Sequence, residues 1–241
     1  VRGVTDEFDV PGWMMLAAKD TGDGGLQSFD LVVNHLRLLG SDFGSTRLLL
    51  SQQPNALMIR ASGANFDGSM NIPNAKNAPI IGRFNKVYFK KSITVPVIAM
   101  AKTAPIQPTI KPTDFPALDI SIEDLRISNL TLGRAELLTI PTAQGMQISK
   151  LNTQSAFLSI STNGLWSGTG KQESVALKAQ LQSPDLGKLM SNMHYENVIN
   201  KGNANLKFNI NWPGGPMDFN MKSITGFLDL EVTEGQLLSV D

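Results

Sequence analysis

Cysteine is absent from this 241-residue chain, which excludes a disulfide scaffold, a zinc ribbon and a cysteine nucleophile. Histidine is scarce: His35 and His194 are the two present, and neither has a second histidine at ligand spacing. Charge is low as well. Asp, Glu, Lys and Arg make up 17% of the residues, against roughly 25% in ordinary soluble proteins. The 21 basic residues balance 21 acidic ones, whereas a protein that neutralises phosphates needs a surplus of Lys and Arg, so no nucleic-acid partner is expected. Long apolar runs are missing too. The strongest, Ser92 to Ala101, has about half the length a bilayer demands and contains Pro96. The segment therefore holds neither a membrane span nor a signal peptide. Because it begins at Val1, it is expected to be a piece of something longer.

What takes the place of charge is Ser, Thr, Asn and Gln, a neutral polar surface common in secreted and periplasmic β proteins. Period-two alternation dominates the pattern. Val175, Leu177, Ala179 and Leu181 alternate with Lys178, Gln180 and Gln182; Leu206, Phe208, Ile210 and Trp212 with Lys207, Asn209 and Asn211. Leu228, Leu230 and Val232 alternate with Asp229, Glu231 and Thr233, and Leu118, Ile120 and Ile122 with Asp119, Ser121 and Glu123. Such strands have one apolar and one wet face, as antiparallel sheets do. Asn163-Gly164, Gly214-Gly215 and Glu234-Gly235 read as turns. About fourteen strands are expected, with one short helix near 184–193: Ser183 as N-cap, Pro184 in the first position, and Leu186, Leu189, Met190 and Met193 at helical spacing. The class is all-β.

The chain also repeats itself. Asp30 to Gly44 aligns with Asp119 to Gly133 at an offset of 89, with identities at Asp30/Asp119, Leu36/Leu125, Arg37/Arg126 and Gly44/Gly133. Phe66-Asp-Gly68 resembles Trp166-Ser-Gly168 at an offset of 100, which places 11 extra residues near Pro141 to Leu151, enough for an added strand. Pro96, Pro105, Pro108, Pro112 and Pro116 mark an extended connector. The expected organisation is a first β unit over 1–90, a connector over 91–117 and a second β unit over 118–241.

Catalytic constellations do not emerge. His35 aligns with Asp124 and reads as a strand or turn position; His194 follows the helix end, where a cation suits the dipole. Gly168-Thr-Gly170-Lys171 has Gln172 where a phosphate loop needs Ser or Thr. Asp20 to Gly24 lacks the alternating oxygen ligands of a calcium loop, and there is no Gly-x-Ser-x-Gly elbow. No enzyme, metal or cofactor is expected. The informative feature is the apolar row on each strand: Leu31, Val33, Leu57, Ile59, Phe66, Met70 and Ile72 in the first unit. In the second it is Ile120, Ile122, Leu158, Ile160, Val175, Leu177, Leu181, Leu206, Phe208, Ile210, Met221, Leu228, Leu230 and Val232. A second sheet could cover these rows as a sandwich. Alternatively, one curved sheet of fourteen strands forms a trough of roughly 65 Å whose lining suits acyl chains. Trp166 and Trp212, beside turns, read as rim or core anchors.

From Pro116 onward the sequence resembles the C-terminal region of the YhdP family of AsmA-like periplasmic proteins. The residues are Pro116-Ala-Leu-Asp119, Leu132-Gly133, Pro141, Gly145, Gly164-Leu-Trp166, Pro184-Asp-Leu-Gly187, Gly202, Trp212-Pro-Gly214 and Gly226 to Val240. Residues 12 to 90 resemble the preceding repeat of that family through Gly68, Pro73 and the Phe84 to Phe89 strand. The resemblance implies an elongated apolar β-groove that shields phospholipid acyl chains between the inner and outer membranes of a Gram-negative cell. It also implies an N-terminal inner-membrane helix outside this segment and an outer-membrane contact. The alternative of a different class is a non-catalytic β-sandwich scaffold of the cell envelope.

Overall fold

The computed structural model describes residues 2–9, 28–39, 41–75, 77–90, 111–196, 198–219 and 222–238. Most of the connector (91–110), the Asp20 to Gly24 stretch and Met221 lie outside them. Alternating apolar and polar residues build β1 (Arg2–Asp9), β2 (Ser28–Leu38), β3 (Ser41–Asp42), β4 (Thr46–Gln53), β5 (Ala56–Gly63), β6 (Phe66–Pro73) and β7 (Ile80–Phe89). They continue as β8 (Leu118–Ile127), β9 (Leu130–Thr142), β10 (Gly145–Gln154), β11 (Ser159–Ser167), β12 (Ser174–Ser183), β13 (Ile199–Pro213) and β14 (Thr225–Leu237). All fourteen belong to one sheet, in chain order, with β3 set aside against β2. The sheet is long, open and curved. Among the described residues no second sheet faces it, so the sandwich expectation gives way to the open groove.

Neighbours pair antiparallel except at two places, β1 with β2 and β7 with β8. Antiparallel neighbours need only a tight turn, as at Pro54-Asn55 and Ala143-Gln144. Parallel neighbours need a long return, and the chain supplies residues 10–27 and 90–117 between these pairs. The two junctions share a register: Arg2 lies opposite Asp30 and Gly3 opposite Leu31, while Ile81 lies opposite Asp119 and Gly82 opposite Ile120.

The 89-residue offset extends to backbone conformation. Leu39 and Ser128 both have φ 53°, and Gly44 and Gly133 have φ 74° and 71°. It persists through the next turn, since β5 starts at Ala56 and β10 at Gly145. The added strand expected near Pro141 to Leu151 is therefore not there: β9 and β10 form a hairpin with a two-residue turn like β4 and β5, differing from it by a bulge between Ile148 and Lys150. Phe66-Asp-Gly68 opens β6 at one margin of the sheet, whereas Trp166-Ser-Gly168 closes β11 at the other, so that match is one of letters alone.

The helix, α1, runs Leu186–Asn192 and starts later than expected. Ser183 is still a buried residue of β12 paired with Ala204. The cap is Asp185, whose carboxylate accepts from the Lys188 N–H at 3.0 Å. Two expected turns are also corrected. Asn163-Gly164 lies inside β11, where a Cβ on Gly164 would stand 2.3 Å from the Ala176 carbonyl. Glu234-Gly235 lies inside β14, with Glu234 at φ 56°. Glycine here admits close backbone approach or a local bend within a strand.

Candidate functional site

Side chains directly opposite each other in paired strands share a face, so the register alone assigns the apolar rows. Leu31 and Val33 of β2 lie opposite Leu48 and Thr46, and Leu48 and Leu50 opposite Ala61 and Ile59. Leu57 and Ile59 lie opposite Ile72 and Met70, and Phe66 opposite Val87. The row crosses the parallel junction: Gly82 meets Ile120 and Phe84 meets Ile122. Ile120 and Ile122 then face Leu137 and Ala135. Beyond a hairpin, Ile160 lies opposite Leu181, and Val175, Leu177 and Leu181 opposite Trp212, Ile210 and Leu206. Phe208 and Leu206 face Leu228 and Leu230, and Ala204 faces Val232. Leu158 sits just before β11, buried in the same cluster. One face of the sheet is therefore a continuous, mainly apolar floor, in which Thr139, Thr153 and Thr162 also take part.

The opposite face carries the charges and is laced with ion pairs, among exposed apolar side chains such as Leu49, Ile81, Leu138 and Ile140. Arg47 binds Asp30 through Nε and Nη2 at 2.8 and 2.7 Å, Arg83 binds Asp119 at 2.9 Å, and Arg134 binds Glu123 at 3.0 Å. Lys150 pairs with Glu136, and Gln180 Nε2 donates to Asn205 Oδ1 at 2.9 Å.

Both long margins of the floor are packed shut. On the α1 side the buried residues include Leu36, Phe43, Phe66, Val87, Leu125, Leu132, Leu158 and Leu189, with Leu186 and Met193 of the helix region against them. Phe43 makes edge-on contacts with Phe66 and Phe89, ring centroids 5.1 and 5.2 Å apart. On the other side Ile80, Met146, Val175 and Trp212 are buried, beside a short 3-10 turn at Pro112–Asp114. Trp212 Nε1 donates to the Gly215 carbonyl at 3.0 Å, and Trp166 Nε1 to Glu173 Oε1 at 2.8 Å. Both indoles are held by their polar ends, as anchors. Between the margins Ile59, Met70, Ile120, Ile122, Leu137, Leu177, Phe208 and Ile210 are only half-buried.

A model of the YhdP protein family matches residues 1–241. The chain belongs to the YhdP family. No curated protein and no solved structure matches it.

Sequence reasoning missed part of this YhdP-family floor. Leu48 and Leu50 escaped because Leu48-Leu49-Leu50 hides the phase; Leu49 points outward beside Arg60 and Asp30 in the ladder. Ile148 and Leu151 share the floor although three residues apart, because β10 is bulged between them. A similar irregularity separates Ile122 from Leu125.

The titratable groups serve structure. His35 Nδ1 lies 2.8 Å from Asp42 Oδ2 on the outer surface. Glu123 and Asp124, adjacent in β8, take different partners, Arg134 and the Tyr88–Arg126 pair. Burial pushes the Asp124 carboxyl up, but hydrogen bonds from Arg126 and Tyr88 and the Arg126 charge outweigh it and hold it below the ordinary range. Hydrogen bonding to Asp124 in turn raises the Tyr88 phenol. Among the described residues no group of three or more His, Cys, Asp or Glu could hold a metal. Nor is any described helix long and apolar enough to cross a membrane.

Proposed function

We propose that this chain is part of a periplasmic lipid-transfer protein of the bridge type, whose floor shields phospholipid acyl chains between the inner and outer membranes. The observation that carries the reading is the unbroken register of the apolar face through the β7–β8 junction, so that one floor runs from β2 to β14. Family membership supports it. The chemistry is transfer without catalysis. Burying each acyl methylene is worth roughly 0.8 kcal/mol, and a floor of similar aliphatic residues offers many nearly equal positions along which a chain slides. A strong polar pocket would trap it, whereas here the charges lie on the other face.

The lipid contacts are the floor-side rows, from Leu31, Leu57, Ile59, Met70 and Ile72 through Ile120, Ile122, Ile160, Leu177, Leu181, Leu206, Phe208 and Ile210 to Leu228, Leu230 and Val232. The buried Val33, Phe66, Leu158 and Val175 hold the packed parts of the floor. The two β units, 1–90 and 118–241, meet where β7 pairs with β8, with the Pro-rich stretch of 91–117 between them in sequence. Mass spectrometry of organic extracts from the purified protein tests the reading: phospholipid near one or more molecules per chain is expected. A lipid-free protein that remains folded and monodisperse favours the envelope scaffold instead.

A further inference from the structure

The face opposite the floor changes character along the sheet. From β2 to β8 it carries Arg–carboxylate pairs such as Arg47 with Asp30 and Arg83 with Asp119. From β10 to β13 amides and hydroxyls replace them. Asn152 lies opposite Ser161 and Ser161 opposite Gln180; Gln154 lies opposite Ser159, Ser159 opposite Gln182, and Gln182 opposite Asn205. Here the face is hollowed. Two adjoining clefts, of about 480 and 350 Å³, share Gln154, Ser159 and Gln182, and together they reach from Arg134 and Glu136 on β9 to Glu231 and Thr233 on β14. The charges at the β9 end are matched already, Arg134 by Glu123 and Glu136 by Lys150. Glu231 apart, the rest of the polar lining is neutral. An amide has two donor hydrogens and an acceptor oxygen with two lone pairs. Gln180, which donates to Asn205 Oδ1, and Gln154, which donates to the Ser155 carbonyl, therefore keep capacity for further bonds.

We infer that this hollow on the outer face is a glycan-binding groove, and that its ligand is a polysaccharide chain bearing acetamido groups. An apolar chain laid there would strip water from the amides without replacing their hydrogen bonds, which is costly. A phosphate or carboxylate ligand needs an unmatched cation; among the described residues of the lining Arg134 alone is basic, and Glu123 holds it. Sugar hydroxyls and acetamides donate and accept together, as the lining amides do. The spacing agrees as well. The polar rows cross strands about 4.8 Å apart, close to the length of one pyranose unit in a β-linked chain, so successive sugars meet successive strands. An open hollow running across strands suits a polymer, whereas small-molecule sites enclose most of their ligand. The inference stands apart from the lipid-transfer reading, because it uses the face that lipid does not touch. In the periplasmic setting proposed above, a polymer of this chemistry is the glycan of the cell wall, held on one face while lipid moves along the other.

The test is saturation-transfer NMR of the purified protein with chitohexaose, a hexamer of N-acetylglucosamine, and with cellohexaose, its glucose counterpart. Transfer to the acetyl and ring protons of chitohexaose is expected, with cellohexaose bound several-fold more weakly, and the protein should cosediment with purified cell-wall sacculi. Gln154 and Gln182 are exposed, so the double variant Gln154→Leu, Gln182→Leu keeps the fold. It is expected to weaken chitohexaose binding several-fold at an unchanged melting temperature and an unchanged lipid content. Leu177→Asp, on the floor, should leave chitohexaose binding as it is. No transfer to chitohexaose, or undiminished binding in the double variant, overturns the groove while leaving the lipid reading intact. Lipid-free protein that still binds chitohexaose does the reverse. Equal binding of the two hexamers overturns the acetamido assignment, and binding without cosedimentation overturns the assignment to the cell wall.

Discussion

Asp30 and Asp119, Arg37 and Arg126, Leu36 and Leu125, and Gly44 and Gly133 are the residues the chain repeats, and each pair occupies equivalent places. The aspartates tie the parallel junctions: Arg2 reaches Asp30 from β1 at 3.4 Å, and Arg83 reaches Asp119 from β7 at 2.9 Å. Arg37 binds Glu7 of β1 at 2.6 Å, while Arg126 lies 4.6 Å over the Tyr88 ring of β7. The leucines are buried along the α1 margin. The glycines take left-handed φ, which costs an L-residue roughly 1–2 kcal/mol. Gly44→Ala should therefore lose about that much stability, since its Cβ would meet nothing within 4 Å. Gly133→Ala should lose more, because its Cβ would lie 2.2 Å from the Gln154 carbonyl; paired urea melts read the difference. The junction carboxylates also predict an acid limb. Hydrogen bonds from Arg47 hold Asp30 below the ordinary range, and Asp124 is lowered as well. A depressed carboxyl stabilises the fold above its unfolded value of about 3.9 and loses that contribution as pH falls through its folded value. Melting temperature should stay level from neutral pH to mild acid and drop below about pH 4, and Asp124→Asn should lower the plateau and shorten the drop.

At the level of elements, alternation was legible wherever strands are regular, as in β12, β13 and β14, and the sites read from it fall on one face. It failed where the period of two breaks. The β10 bulge puts Ile148 and Leu151 on the same side, and the Leu48-Leu49-Leu50 run carries no phase of its own. The start of α1 was misread because Ser183, a good cap by residue type, is held in the β12 ladder opposite Ala204, which leaves Asp185 to cap. Asp185→Ala should cost about 1 kcal/mol, read as a modest fall in the urea midpoint. Leu158→Ala, removing a buried side chain beneath the helix margin, should cost about 2–5 kcal/mol by the same measurement.

At the scale of the whole molecule, face matters more than strand. Leu177 and Lys178 are neighbours in β12 that point to opposite sides, Leu177 across from Ile210 on the floor and Lys178 across from Asn209 outside. Leu177→Asp should strip copurified phospholipid, because an unpaired carboxylate against acyl chains is strongly disfavoured; Lys178→Asp should leave the lipid content unchanged. Lipid per chain by mass spectrometry, with circular dichroism as the folding control, checks the pair. The sequence by itself determined the class, the strand faces and the scarcity of charge on one side, because alternation and composition act residue by residue. Its repeat was legible in eight residues, and the structure explains each by a junction, a buried position or a φ angle. Whether two apolar faces would close on each other or lie end to end was decided only by tertiary structure. That outcome depends on which strand edges pair, and edge pairing is made by backbone hydrogen bonds that leave no mark on side-chain pattern. Parallel pairing of β7 with β8 joined the strands on either side edge to edge, and so made one continuous floor of half-wet strands.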